Sequence, residues 1–142
     1  MIRIILIVFI FSFPFLQCGN ANSQTAKQGS LVPLHPITIT AAKLKDNKFE
    51  LRLDLPPDYG FQIEAPHRLF LSGTNGLTVT KADLKLNGPI HPKKAEYFEY
   101  VKGLPFEVSG KGDLEVNGKL FYCNFKKNIC IPGKISQKIQ IL

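Results

Sequence analysis

Three observations predict an all-β fold. Apolar and polar residues alternate with period two through most of the chain, as in half-buried strands. No sustained 3.6-residue pattern of a helix interrupts them. Turn chemistry recurs about every 8–12 residues, a spacing that divides the chain into about eight short strands. Together they predict an immunoglobulin-like antiparallel β-sandwich of about eight strands.

The clearest strand is 49–55, where Phe49, Leu51, Leu53 and Leu55 share one face and Glu50, Arg52 and Asp54 the other. Pro56-Pro57-Asp58-Tyr59-Gly60 stops it with turn chemistry. Before it comes a candidate strand at 37–44; after it come 68–72, 77–86, 96–101, 105–108, 114–123 and 135–141. Gly73-Thr74-Asn75-Gly76, Asn87-Gly88-Pro89 and Gly110-Lys111-Gly112 punctuate them. Asn117-Gly118 reads as a bulge inside one long strand, because a hairpin turn there would leave two segments too short to pair. With no internal repeat and no second composition block, one domain is expected at 31–142.

The first residues belong to targeting. Arg3 is followed by a nearly unbroken apolar run over 4–16, interrupted by Ser12 and Pro14. As a helix that run would span roughly 20 Å, short of the roughly 30 Å hydrocarbon core, so a signal peptide at 1–17 is expected. Phe15-Leu16-Gln17-Cys18 resembles a bacterial lipobox, which implies that Cys18 is lipidated. The small, polar stretch 19–30 cannot bury enough apolar surface to order itself, and 18–30 is read as anchor and tether. That layout predicts a domain in the cell envelope, facing the periplasm and held to a membrane through Cys18.

The chain has 142 residues and a formal net charge of +7. Without 1–17 it keeps 125 residues, 17 of them basic and 11 acidic, enough for one real core. The basic residues are scattered with acids between them, so a nucleic-acid partner is not expected. No small-molecule substrate is evident. Hydrolysis is disfavoured, since no Ser/His/Asp spacing stands out and the carboxylates alternate with apolar residues as solvent faces do.

Export places Cys123 and Cys130 where a disulfide forms and persists. Opposed across two antiparallel strands, they would close a loop of about eight residues and stabilise the fold by about 2–3 kcal/mol in the entropy model. A structural staple is therefore a sufficient explanation. A redox pair is the other reading, with Lys119, Lys126 and Lys127 as nearby cations able to favour a thiolate. Zinc fits poorly: six residues separate the cysteines, and His35, His67 and His91 lie beside prolines with no ligand pattern.

The segment Gly118-Lys119-Leu120-Phe121-Tyr122-Cys123, followed after a short loop by Cys130-Ile131-Pro132, resembles the end of the N-terminal periplasmic domain of the thiol:disulfide interchange protein DsbD and its stand-alone relatives. Leu55-Pro56-Pro57-Asp58-Tyr59-Gly60 and Pro66-His67-Arg68-Leu69-Phe70-Leu71 are similar to that family's Gly/Tyr turn and following strand, and the likeness spans about 38–141. The resemblance implies a sandwich that relays electrons by thiol–disulfide exchange through Cys123 and Cys130, with Tyr122 and Pro132 flanking the pair. The implied partners are thioredoxin-like or membrane thiol–disulfide proteins, and no organic cofactor or metal is required. The family covers its disulfide with an aromatic cap loop; here the matching stretch, 88–97, carries His91-Pro92-Lys93-Lys94 in place of a Phe-Tyr pair. The family's transmembrane and thioredoxin-like segments have no counterpart in these 142 residues, so a separate membrane protein is expected to supply electrons. The rival expectation is an envelope-binding lipoprotein whose disulfide is purely structural.

Overall fold

The computed structural model describes residues 35–142. The segments expected to be signal peptide and tether, with Cys18, lie outside the described residues.

Ten strands form: β1 (Thr38–Lys45), β2 (Lys48–Asp54), β3 (Tyr59–Phe61), β4 (Arg68–Thr74), β5 (Thr78–Ala82), β6 (Ile90–His91), β7 (Lys94–Phe98), β8 (Leu104–Ser109), β9 (Gly112–Asn124) and β10 (Ile129–Ile141). One sheet runs β1-β2-β8-β5; the other runs β10-β9-β3, with β4 also paired to β9; β6 and β7 make a separate hairpin. All pairings are antiparallel, giving an immunoglobulin-like sandwich.

The period-two pattern places the core. Phe49, Leu51 and Leu53 on β2 are buried with Leu104, Phe106 and Val108 on β8, and the Phe49 and Phe106 rings stack at 5.6 Å. From the facing sheet come Leu114, Val116, Leu120 and Tyr122 of β9, Leu69 of β4 and Ile135 of β10.

The structure departs from the sequence expectation in five places. Tyr59–Phe61 is a short strand rather than the tail of a turn: the bend is closed upstream, where the Tyr59 N–H donates to the Pro56 carbonyl at 3.0 Å. The strand expected at 77–86 stops at Ala82, because Asp83 Oδ1 accepts the Lys85 N–H (3.3 Å) and turns the chain off the sheet. In place of 96–101 stands the β6–β7 hairpin, ending at Phe98.

The fourth departure bears on the site. β10 begins at Ile129, not at 135, and runs through Pro132-Gly133. An edge strand tolerates proline, since no sheet neighbour needs its missing N–H. Nor is there a bulge at Asn117-Gly118: both pairings of β9 run through it in continuous register. Gly118 is there for room. A Cβ at Gly118 would lie 2.1 Å from the Arg68 carbonyl oxygen and 3.0 Å from Leu69 Cα.

Candidate functional site

The β9–β10 hairpin sets Cys123 directly opposite Cys130, and the two are joined in a disulfide with Cα atoms 3.9 Å apart. The link holds them closer than the about 4.5 Å usual for opposed residues without ladder bonds between them. The connecting turn is fixed by its own polar groups. Asn124, buried, accepts the Lys127 N–H on Oδ1 at 2.9 Å, and Asn128 takes the left-handed conformation (φ 51°) that asparagine adopts more readily than most residues.

Strand alternation decides which neighbours the sulfurs have. Leu120 and Tyr122 point into the sandwich, so Phe121 and Cys123 point outward. Opposed residues share a face. The outer surface therefore carries a row of Gly60, Cys123 and Cys130 from β3, β9 and β10, with Phe121 and Pro132 in the next row.

Two aromatic rings cover this row. A Cβ on Gly60 would sit 2.6 Å from Phe125 Cζ and 3.2 Å from Tyr97 Cβ, so both side chains lie on the bare glycine. At its other end Tyr97 places its hydroxyl 4.0 Å from Cys130 Sγ. The Tyr97 ring thus spans the row across Cys123. The outcome is asymmetric: Cys123 is 3% exposed although its strand faces outward, whereas Cys130 is exposed.

The cover comes from the β6–β7 hairpin and the intercysteine turn. Tyr97 bridges to Gln62, and the Ile63 N–H donates to the Glu96 carbonyl at 2.9 Å, tying β7 beside β3. Tyr97 and His91 meet Phe125 edge-on at 5.0 and 5.8 Å, and Lys94 Nζ lies 4.8 Å from the Phe125 ring centre. The stretch 88–97 thus supplies an aromatic shield despite lacking the expected pair, using Tyr97 with Phe125 from the turn.

The residues singled out from sequence divide as follows. Pro132 lies on the outer face, exposed, opposite Phe121. Tyr122 is 1% exposed and points inward, its ring over Gly133, where a Cβ would come within 2.6 Å of Cε1. Burial, and after it the neighbouring Tyr59 phenol, raise the Tyr122 hydroxyl above its ordinary range. Tyr59 packs on Tyr122 at 5.9 Å, on the interior side. Of the three lysines near the pair, Lys126 is held by Asp58 at 2.7 Å and Lys119 lies 5.3 Å from the Phe121 ring centre. Lys127 contributes its backbone N–H to the turn.

Tyr97, Phe125 and Gly60 were not singled out as site residues by the sequence. Their meeting depends on β7 docking on β3 and on the chain folding back between the cysteines, which no local pattern records. The one usable signal was a glycine between two aromatics, Tyr59-Gly60-Phe61, in a strand-forming context.

Among the described residues, no group of three His, Cys, Asp or Glu side chains could hold a metal ion. No family model, curated protein or solved structure matches this chain.

Proposed function

We propose that this domain is a thiol–disulfide exchange module of the DsbD N-terminal kind, exported, anchored through Cys18, and relaying electrons between thioredoxin-like partners through Cys123 and Cys130. One observation carries the reading. A single disulfide joins a shielded sulfur to an exposed one, with a phenol hydroxyl beside the exposed atom. A staple has no need of that asymmetry, whereas exchange chemistry requires one reachable sulfur.

The electron count closes through two displacements. A partner thiolate attacks Cys130 Sγ, forming a mixed disulfide and breaking the Cys123–Cys130 bond. Cys123 leaves as a thiolate and takes a proton, since its buried surroundings disfavour the charge. The partner's second thiolate then attacks the partner sulfur of the mixed disulfide, closing the partner's own disulfide and releasing Cys130 as a thiolate. Tyr97 Oη stands where it can donate a hydrogen bond to that anion. Two electrons have passed to this domain, and Cys130 hands them on by the reverse sequence.

The reduction potential tests the reading. A value between about −120 and −270 mV matches exchange proteins, whereas one below about −300 mV identifies an inert structural bond and favours the binding-lipoprotein alternative. Single-cysteine variants assign the roles. Cys123→Ser is expected to trap a mixed disulfide with a thioredoxin-like protein through Cys130, and Cys130→Ser to trap far less. Cys18→Ser is expected to abolish membrane partitioning, and unchanged partitioning would contradict the anchor.

A further inference from the structure

The register of three strands assembles a feature that the sequence scatters. Arg68 on β4 is opposed to Lys119 on β9, and Lys119 is opposed to Lys134 on β10. The three cations stand in one row on the outer face, all exposed, and none takes part in an ion pair among the described residues. Like charges directly opposed across strands destabilise a sheet. The next row along, Phe70, Asn117 and Ser136, offers no counter-charge; Glu115, one row further, is taken by Lys138 at 3.5 Å.

This row lies on the same face as the disulfide. Lys119 is four residues from Cys123 along β9, about 13 Å at strand rise. Between them stands the apolar row of Phe121 and Pro132, toward which Lys119 leans with its Nζ 5.3 Å from the Phe121 ring centre. The face reads, in order, as reactive sulfur, apolar step and unneutralised positive charge. Two carboxylates, Glu64 and Glu96, line a cleft beside Phe121, bounded by Ala95 and Pro66.

We propose that Arg68, Lys119 and Lys134 form a docking row for an acidic protein partner, whose carboxylates lie about 13 Å from the cysteine it presents to Cys130. The proposal deepens the exchange reading and rests on it: the row selects and steers the partner, and the disulfide performs the chemistry. A protein suits this face better than a lipid surface, because the row abuts an apolar step leading to the sulfur. Electrostatic complementarity of this kind acts chiefly on encounter rate and orientation.

The test uses the folded protein with its disulfide intact and three ten-residue peptides. Each carries one cysteine and, four positions on, three glutamates, three glutamines or three lysines. The peptide thiolate attacks Cys130 Sγ and Cys123 leaves, so mixed-disulfide formation reports the rate. At low salt the glutamate peptide is expected to react at least about 10-fold faster than the glutamine peptide, and the lysine peptide slowest. The advantage is expected to collapse at high salt, where screening is nearly complete. It should also vanish in the triple variant Arg68→Gln, Lys119→Gln, Lys134→Gln, and invert when the same positions are made glutamate.

Neutral 2-mercaptoethanol should reduce wild type and the glutamine variant at the same rate. The glutamine variant should be no less stable to urea than wild type, since it removes opposed like charges. Equal rates for the three peptides overturn the docking row while leaving exchange intact. No reaction with 2-mercaptoethanol defeats the exchange reading and this inference with it. Loss of binding to phosphatidylglycerol vesicles in the variant, without any peptide preference, assigns the row to lipid instead.

Discussion

Gly60→Ala is the sharpest probe of the shield. The added methyl would lie 2.6 Å from Phe125 Cζ, 3.2 Å from Tyr97 Cβ and 3.3 Å from Tyr97 Cδ1. Carbon pairs settle at about 3.5–4.0 Å, so the Phe125 ring must retreat by about 1 Å and Tyr97 by a few tenths of an ångström. Phe125 cannot move alone, because Tyr97 and His91 pack edge-on against it. Overpacking of this kind costs about 1–3 kcal/mol. Replacing glycine at an undistorted backbone position restores about 0.4–1 kcal/mol by restricting the unfolded chain. The balance is a loss of about 1 kcal/mol.

That loss falls on the closed shield, so the fraction of molecules with Cys123 uncovered should rise about 5-fold, and direct attack of dithiothreitol on Cys123 Sγ with it, while attack on the open Cys130 Sγ stays as in wild type. Quenched-flow alkylation followed by mass spectrometry gives the rate. Gly133→Ala is the control. It crowds Tyr122 Cε1 at the same 2.6 Å, but on the interior face. Its stability should fall without a matching acceleration. If Gly60→Ala destabilises the protein by about 1 kcal/mol and leaves the share of mixed disulfide formed on Cys123 unchanged, the Tyr97–Phe125 pair does not govern access to that sulfur.

Two further outcomes follow from the same sheet. Gly118→Ala sets a methyl against backbone, 2.1 Å from the Arg68 carbonyl oxygen, where no side chain can yield; a loss of at least about 2–3 kcal/mol in urea denaturation is expected, and a change under 0.5 kcal/mol would refute the close approach of β4. His67 ties β4 to β9 as a neutral ring: its Nε2–H donates to the Gln62 carbonyl at 2.6 Å, and its Nδ1 accepts the Phe121 N–H at 3.2 Å. Burial lowers its pKa below the ordinary 6.5, a shift the Gln62 bond only partly opposes. The unfolded chain then binds more protons, so this contribution is complete above pH 6.5 and is lost as pH falls through the lower folded-state value. The melting temperature should drop on going from pH 7.5 to 5, less steeply in His67→Gln, and equal slopes would remove His67 as a source.

Burial on one face was legible wherever a strand pairs at full length. Phe49, Leu51 and Leu53 declare β2 by alternation, and that face is the one buried. Cys123 and Cys130 are legible as a pair, because a polar segment of turn length separates them, but a strand beginning at Ile129 that opposes them directly is not, since the alternation points only to 135–141. What is not legible in the sequence depends on position in the sheet. Pro132-Gly133 looks like a strand breaker, yet β10 is an edge strand where proline is tolerated, and Gly133 makes room for the Tyr122 ring. Of the turn chemistry at Pro56-Pro57-Asp58-Tyr59-Gly60 only the first part makes the bend, and the three-residue strand that takes Tyr59 and Gly60 owes its existence to pairing with β9. The cation row needs the register of β4, β9 and β10 at once, and in the sequence Arg68, Lys119 and Lys134 are merely separate basic residues.

One strand explains how a sandwich of this size keeps a disulfide both protected and reachable. Along β9, alternation sends Leu120 and Tyr122 into the core and Phe121 and Cys123 outward, so the sulfur cannot be buried by the main core. Its protection has to come from outside the sheet, and the β6–β7 hairpin provides it by laying Tyr97 across a strand whose local residue is glycine. Cys130, on the edge strand, has no further strand beside it and stays open except at Tyr97 Oη. The unequal exposure of the two sulfurs therefore follows from a central strand facing an edge strand. Moving the pair one residue along both strands would turn it into the core, and moving it two residues would carry it to the Phe121–Pro132 row, away from the glycine on which Tyr97 rests.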